Sequence, residues 1–260
     1  MIPSPVAGFV CFGIFLNGLM TGAFAAAPLV VPGETLTLEF PELPKMHDDL
    51  PAACEVHIPK DYDAGTPVPL LVWFGGGKGS HQVGGAKGLV NFDRFVVVAL
   101  PYPNGKLPRL AAQDKGSIDA HWAFQRPMLE RVAQLVPNID PQLRLVAGTS
   151  SGGHLIAYGL DRGWPGFADY FTVFIIHEGG AQPLTHRFPG AKGKRLLVVY
   201  GEETDSLTWR TWFNWNVERS GADATIIGIP GAGHGLNDDG RRAIRKWTDE
   251  LTRTTSATQP

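Results

Sequence analysis

The sequence predicts an α/β fold in which helices cover both faces of a mostly parallel central sheet. Short, nearly continuous apolar runs recur along the chain, and such runs are typical of strands buried on both faces. Segments with the apolar spacing of amphipathic helices lie between them, which favours parallel strands joined by right-handed crossovers. With 260 residues, of which 43% are hydrophobic and 18% charged, the chain suits one globular domain with a continuous core.

The predicted strands begin in a proline-rich segment, where residues 35–40 are expected at an edge of the sheet. Residues 54–58 alternate between apolar and polar side chains, the period of a strand. The remaining strands are the continuous apolar runs at residues 70–74, 95–100, 143–147, 171–176, 196–200 and 224–229.

Four helices are predicted between and after these strands, at residues 121–136, 150–160, 206–219 and 241–251. The third carries Trp209, Trp212 and Trp215 at a spacing of three, which places them on one helical face. Such a stripe is more often core than a ligand platform, but tryptophan rings also stack on sugar and aryl groups. Trp209 is therefore a candidate substrate-binding residue. Residues 253–260 are expected to form a flexible polar tail.

The N-terminus predicts a secretory signal peptide. Residues 6–27 carry no charged side chain and end in the small-residue segment Ala-Phe-Ala-Ala-Ala, which offers a cleavage site. An uncleaved membrane anchor is the alternative, because about 20 apolar residues can span a bilayer. We expect residues 1–26 to be removed and residues 27–252 to form a single catalytic domain. The protein would then be secreted or periplasmic, with no stable membrane association.

The charge distribution argues against nucleic-acid binding. The formal net charge is −2 and the basic residues are scattered, so we expect no general electrostatic attraction to nucleic acid. No glycine-rich nucleotide loop and no histidine pair with metal-ligand spacing is present, so neither a cofactor nor a metal is expected. Cys54 alternates with apolar residues in a strand pattern and is expected to be a buried apolar side chain.

The strongest motif follows the strand at 143–147. Residues 148–152 are Gly-Thr-Ser-Ser-Gly, which fits the G-x-S-x-G nucleophile elbow, a sharp turn from a strand into a helix. The turn needs small residues two positions before and after the serine, because larger side chains would collide across it. Ser150 is the predicted nucleophile. Ser151 is the alternative, but it would put Thr149 and Gly153 at the small-residue positions, a poorer fit.

The sequence also supplies a general base and an acid. His234 lies in the glycine-rich loop after the last strand, where it could reach Ser150. The acid that orients this histidine is expected after the preceding strand, in the segment Gly-Glu-Glu-Thr-Asp at residues 201–205. Asp205 is the preferred acid, with Glu203 and then Glu202 as alternatives. The resulting order of serine, acid and histidine is that of serine hydrolases with an elbow.

An oxyanion hole is predicted from the glycines after the strand at 70–74. Glycine lets backbone N–H groups approach a developing negative charge without obstruction. The hole is assigned to the N–H groups of Gly76 and Ser151. His177 leaves the strand at 171–176 at its carboxyl end and is a candidate for lining the substrate pocket.

These motifs resemble those of α/β-hydrolase-fold serine esterases of the secreted feruloyl esterase, acetylxylan esterase and polyhydroxybutyrate depolymerase type. The likeness runs from about residue 54 to residue 251. Its landmarks are Ile-Pro-Lys-Asp-Tyr at residues 58–62, Pro-Leu-Leu-Val at 69–72, the glycine turn after Phe74, Asn-Ile-Asp at 138–140, Gly-Gly-His at 152–154 and Gly-His at 233–234. Two departures are visible: Phe74 stands where these enzymes usually have histidine, and the acid loop is one residue longer.

The resemblance implies hydrolysis of carboxylic esters through an acyl-enzyme, without a cofactor. Ser150 would attack, His234 would transfer the proton and Asp205 would fix the imidazole tautomer. The expected substrate is a small or polysaccharide-linked ester. A polyester depolymerase or a peptidase would use the same machinery. A catalytically inactive binding protein of the same fold is the alternative outside the enzymes.

Overall fold

The computed structural model describes residues 30–106, 115–180, 187–204 and 207–257; the predicted signal peptide, residues 1–26, lies outside them. Within these residues the chain forms an eight-stranded sheet with the order β1-β2-β4-β3-β5-β6-β7-β8. The strands are β1 (Thr35–Glu39), β2 (Ala53–His57), β3 (Val68–Phe74), β4 (Val96–Ala99), β5 (Ile139–Thr149), β6 (Val173–His177), β7 (Arg195–Gly201) and β8 (Asp223–Ile229). The α-helices are α1 (Lys115–Leu135), α2 (Ser151–Arg162), α3 (Phe167–Tyr170), α4 (Leu207–Arg219) and α5 (Asp238–Ala257). Short 3₁₀ helices lie at His47–Asp49, Val83–Ala86 and Pro189–Ala191.

The sheet is parallel except at one end. Strands β3 to β8 pair in parallel, whereas β1 pairs with β2, and β2 with β4, in antiparallel fashion. The central strands β4 and β6 are buried along their whole length. The mixed sheet confirms the predicted α/β fold, in which continuous apolar runs are strands covered on both faces.

Strand β3 shows how the core divides between the two faces. Leu70, Val72 and Phe74 point to the face covered by α1, α2 and α4, whereas Leu71 and Trp73 point to the face covered by α5 and the Val83–Ala86 helix. This alternation follows from the two-residue period of a strand. Both layers are apolar and buried, so the sheet is a rigid platform for the loops at its edge.

The last helix is longer than the sequence indicated. The prediction ended it at residue 251 and placed a flexible tail at 253–260, but α5 continues to Ala257. The Oγ1 atoms of Thr252 and Thr254 donate to the carbonyls of Asp249 and Glu250, at 3.1 and 3.3 Å. Serine and threonine are poor helix formers, which is why the sequence pattern missed this extension.

In the part of the chain that the structure describes, no helix combines the length and apolarity needed to cross a membrane.

Candidate active site

The loops that carry the predicted residues meet at the carboxyl edge of the parallel sheet. The register pairs Phe74 with Gly148 and Thr149 with His177, so β3, β5 and β6 end at one level. Strands β7 and β8 end beside them, where Gly201 pairs with Ile229. Open α/β sheets bind ligands at this edge.

Ser150 occupies a strained turn between β5 and α2. Its φ of 51° and ψ of −113° lie in a region that side-chain-bearing residues rarely adopt. Hydrogen bonds hold the turn on both sides. The Ser150 N–H donates to the carbonyl of His177 at 2.9 Å, and the Ser150 carbonyl accepts the N–H of His154 at 2.9 Å. The serine is thereby fixed at the start of the helix.

Close backbone contacts explain the small residues that flank Ser150. A Cβ atom at Gly148 would lie 2.4 Å from the carbonyl carbon of Gly152, and one at Gly152 would lie 2.1 Å from the carbonyl oxygen of Phe74. Behind the elbow, a Cβ atom at Gly179 would lie 2.4 Å from the Cα of Gly153. All three contacts involve backbone atoms, which cannot swing aside as a side chain can. The elbow therefore requires glycine at these positions.

His234 contacts Ser150 as the sequence motif suggests. The loop after β8 brings its Nε2 to 3.0 Å from the Oγ of Ser150, within hydrogen-bond reach of a base and its nucleophile. The side chain of His234 is 54% exposed. A base that must give its proton to a leaving group can do so only if that group has access to it.

The carboxylate at the other ring nitrogen is Glu178, directly after β6. Its Oε2 lies 3.3 Å from the Nδ1 of His234, while its side chain is only 3% exposed. Its Oε1 accepts hydrogen bonds from the N–H of Gly201 and, at 2.7 Å, from the hydroxyl of Thr204. The backbone of Glu178 has a φ of 48°, and its N–H donates to the carbonyl of Val199 at 3.0 Å. One carboxylate oxygen is thus held by the protein, and the other faces the imidazole.

The sequence reasoning did not consider Glu178 as the acid. Asp205, the residue it preferred, lies outside the described residues. The alternatives Glu202 and Glu203 are described and are exposed, and their loop contributes its backbone and Thr204 to the support of Glu178. The available signal was a carboxylate immediately after a buried strand, followed by two glycines.

The two predicted oxyanion-hole residues both lie close to Ser150 in the structure. The position of a Cβ atom at Gly76 is 3.5 Å from the Cβ of Ser150 and 3.3 Å from the Cγ2 of Thr149. Ser151 is the first residue of α2, where N–H groups have no partner within the helix and the helix dipole is positive. The backbone of Gly76 is thus close to the Ser150 side chain, and the N–H of Ser151 follows it directly in the chain.

The structure buries the side chain of His177 against the end of β5 and does not expose it to a pocket. Its side chain is buried and its Nδ1 is 2.8 Å from the Oγ1 of Thr149. Burial, with a smaller effect of the neighbouring charges of His234 and Arg241, lowers the pKa of His177 to about 4. His177 is thus a neutral buried group that ties β6 to β5, and the prediction that it lines the pocket needs correction.

The structure describes the side chains of two of the three tryptophans, of which Trp212 is half-buried and Trp215 is exposed. The side chain of Trp209 lies outside the described residues, although its backbone belongs to α4. Trp215 is 50% exposed, and the guanidinium of Arg219 lies 4.5 Å from the centre of its ring. The interpretation of the stripe as core is therefore wrong for Trp215.

Among the described residues, no group of three or more histidine, cysteine, aspartate and glutamate side chains is arranged to hold a metal ion. The chemistry available at this edge is that of a hydroxyl, an imidazole, a carboxylate and backbone donors.

No protein-family model and no curated protein sequence matches the chain. Solved structures do. Esterase 2 of Thermogutta terrifontis phosphorylated by paraoxon is 17% identical, with a TM-score of 0.62, covering 88% of this chain and 96% of that one. The propionate-bound form of that esterase is 16% identical, with a TM-score of 0.60 over 82% and 93% of the two chains. A carboxylesterase of Bacillus cereus is 17% identical, with a TM-score of 0.57 over 72% and 90%. The chain has the α/β-hydrolase fold.

Proposed function

We propose that the protein is a serine hydrolase that cleaves carboxylic esters through an acyl-enzyme. The observation that carries the proposal is the continuous line of contacts from the Oγ of Ser150 through both ring nitrogens of His234 to Glu178. Nucleophile, base and orienting acid in this geometry define the triad on any fold. The solved structures of this fold that resemble the chain include esterases, which supports an ester as substrate.

The proposed acid is Glu178 rather than Asp205. The Oε2 of Glu178 lies 3.3 Å from the Nδ1 of His234 and favours the tautomer with the proton on Nδ1, which leaves Nε2 free to take the proton of Ser150. The buried carboxylate also stabilises the imidazolium that then forms. Because Gly201 and Thr204 hold its other oxygen, the carboxylate cannot rotate away from the ring.

The reaction follows from this arrangement. Ser150 attacks the ester carbonyl while His234 takes its proton, and the negative charge that develops on the carbonyl oxygen is stabilised by the N–H groups of Gly76 and Ser151. His234 then protonates the departing alcohol, leaving an acyl group on Ser150. Water, deprotonated by the same histidine, releases the acid and restores the serine.

The finer parts of the proposal rest on the sequence. The signal-like N-terminus supports secretion, and the resemblance to carbohydrate esterases supports acyl groups on a polysaccharide as substrates. Polyester and peptide bonds are cleaved by the same machinery and remain the alternatives. The assembled triad disfavours an inactive binding protein.

The test is hydrolysis of short-chain p-nitrophenyl esters together with labelling by a fluorophosphonate. We expect the wild-type protein to turn over and to be labelled on Ser150, and Ser150→Ala to lose about 10⁶-fold in kcat. Ser151→Ala is the matched control, because it removes the neighbouring hydroxyl and keeps the backbone N–H. Absence of both turnover and labelling in the wild type, or activity retained by Ser150→Ala, would overturn the proposal.

A further inference from the structure

We propose that Tyr102 is a positioning residue that orients the Gly76 N–H in the oxyanion hole. The inference rests on the proposed function and deepens it, since Tyr102 acts through the backbone of the glycine loop and touches no reacting atom. Its hydroxyl donates a hydrogen bond to the carbonyl oxygen of Gly75 at 2.5 Å.

Because the peptide bond is planar, this contact also sets the direction of the Gly76 N–H in the oxyanion hole. The carbonyl of Gly75 and the N–H of Gly76 belong to one peptide unit, which is planar and trans. In a trans unit the C=O and N–H bonds point in opposite directions. A donor that fixes the carbonyl on one side therefore fixes the direction of the N–H on the other side.

The loop itself offers little resistance to rotation of this peptide unit. Four of the five residues from 75 to 79 are glycine, and Gly77 and Gly79 have φ values of 58° and 85°. Glycine occupies several backbone regions at similar cost. Within the loop, the Gly79 N–H donates to the Gly76 carbonyl at 3.0 Å, which holds the following peptide unit. The Tyr102 hydroxyl supplies the restraint on the unit between Gly75 and Gly76.

Tyr102 is placed rigidly enough for this role. Its side chain is fully buried, and its ring lies against Gly79, where a Cβ atom would come within 2.7 Å of the ring. On another side the ring meets that of His121 edge-on, with centroids 5.5 Å apart. The Tyr102 carbonyl also accepts the N–H of His47 at 3.1 Å. Ring and backbone are both held, so the hydroxyl has a defined position.

The hydroxyl also stays a donor. Burial raises the pKa of Tyr102 above its ordinary value, so the proton that bonds the Gly75 carbonyl is retained across the working pH range. A hydrogen bond to a carbonyl polarises its peptide unit, which strengthens the N–H as a donor in turn. Tyr102 thus both aims and strengthens the Gly76 N–H.

The test compares Tyr102→Phe with Tyr62→Phe. The first variant keeps the buried ring and removes the hydroxyl. The second removes the hydroxyl that donates to Asn138 at 2.9 Å, near the amino ends of β3 and β5. We would measure kcat and KM with p-nitrophenyl acetate, express kcat per serine titrated by fluorophosphonate, and record Tm for both.

We expect Tyr102→Phe to lower kcat about tenfold with KM unchanged. This loss is smaller than the roughly 10²- to 10³-fold loss in kcat on removing an oxyanion-hole donor, because the Gly76 N–H stays in place and only its orientation is less well fixed. Tyr62→Phe should keep its kcat whatever its Tm. Unchanged kcat in Tyr102→Phe, or equal losses in both variants, would overturn the role of Tyr102 while an active wild type leaves the esterase proposal standing. A crystal structure of Tyr102→Phe with the Gly75–Gly76 peptide unit unmoved would also refute it. A wild type without turnover would overturn both.

Discussion

Replacing Glu178 by glutamine should move the ring proton of His234, the proposed base, from Nδ1 to Nε2. In the wild type, the two groups at Oε1 are the N–H of Gly201 and the hydroxyl of Thr204. The N–H can only donate, so the amide oxygen of a glutamine must take this place. The amide NH₂ then faces the Nδ1 of His234, which must accept and give up its proton. The ring proton moves to Nε2, where it points at Ser150 and cannot receive the serine proton.

The magnitude follows from this reversal. The equivalent change in a serine protease triad costs about 10⁴-fold in kcat, which corresponds to about 5.4 kcal/mol of transition-state stabilisation. We expect a loss of this order in Glu178→Gln, because the Gly201 N–H holds the buried amide in the one orientation that turns its NH₂ toward His234. The assay is p-nitrophenyl ester hydrolysis, with the rate of Ser150 labelling by fluorophosphonate as a second readout.

Two variants serve as controls. Glu203→Gln makes the same chemical change on an exposed side chain of the supporting loop and should leave kcat within a factor of a few. Asp205→Asn tests the acid that the sequence favoured. The reasoning is refuted if Asp205→Asn lowers kcat more than Glu178→Gln does.

Three further predictions concern stability and reactivity. Gly179→Ala should cost about 3 kcal/mol through overpacking against the elbow helix, lowering Tm by about 6–12 °C, whereas Gly84→Ala, with nothing within 4 Å of its Cβ position, should shift Tm little; equal shifts would contradict the contact. Burial lowers the pKa of His154 and His177 from 6.5 to about 4, so the unfolded chain binds more protons in that range and the free energy of unfolding should fall as pH drops from 6.5 to 4. Urea titrations should show a shallower fall in His154→Gln, and an equal slope would count against it. Burial raises the pKa of Cys54 to about 12, so iodoacetamide should modify its peptide only in urea, and rapid native labelling in mass spectra would disprove this.

The fold and the place of Ser150 in the turn between β5 and α2 could be predicted because their signals are local. A buried parallel strand is an unbroken apolar run, and the elbow around Ser150 requires small residues at fixed offsets. The pairing of Ser150 with His234 followed because carboxyl ends of parallel strands meet at one edge. Each of these inferences needs only a short segment and the rule of sheet topology.

The position of Glu178 beside His234 could not be predicted in this way. Two neighbouring strands, β6 and β7, are each followed directly by a glutamate, and the choice depends on which oxygen comes within reach of the Nδ1 of His234. Glu178 reaches it because its backbone adopts a φ of 48° and Thr204 turns back from the next loop. The environment of Trp215 was missed for a similar reason, because spacing along a helix shows which residues share a face but not whether that face is covered.

At position 150, the proposed chemistry and the stability of the fold favour different residues. A backbone in this region costs about 1–3 kcal/mol for a residue with a side chain, whereas glycine would adopt it freely. Glycine would lose about 0.5–1 kcal/mol of that gain through the greater freedom of its unfolded chain. A chain selected for stability alone would therefore carry glycine at position 150. The serine at position 150 is therefore explained by the proposed chemistry and not by the stability of the fold.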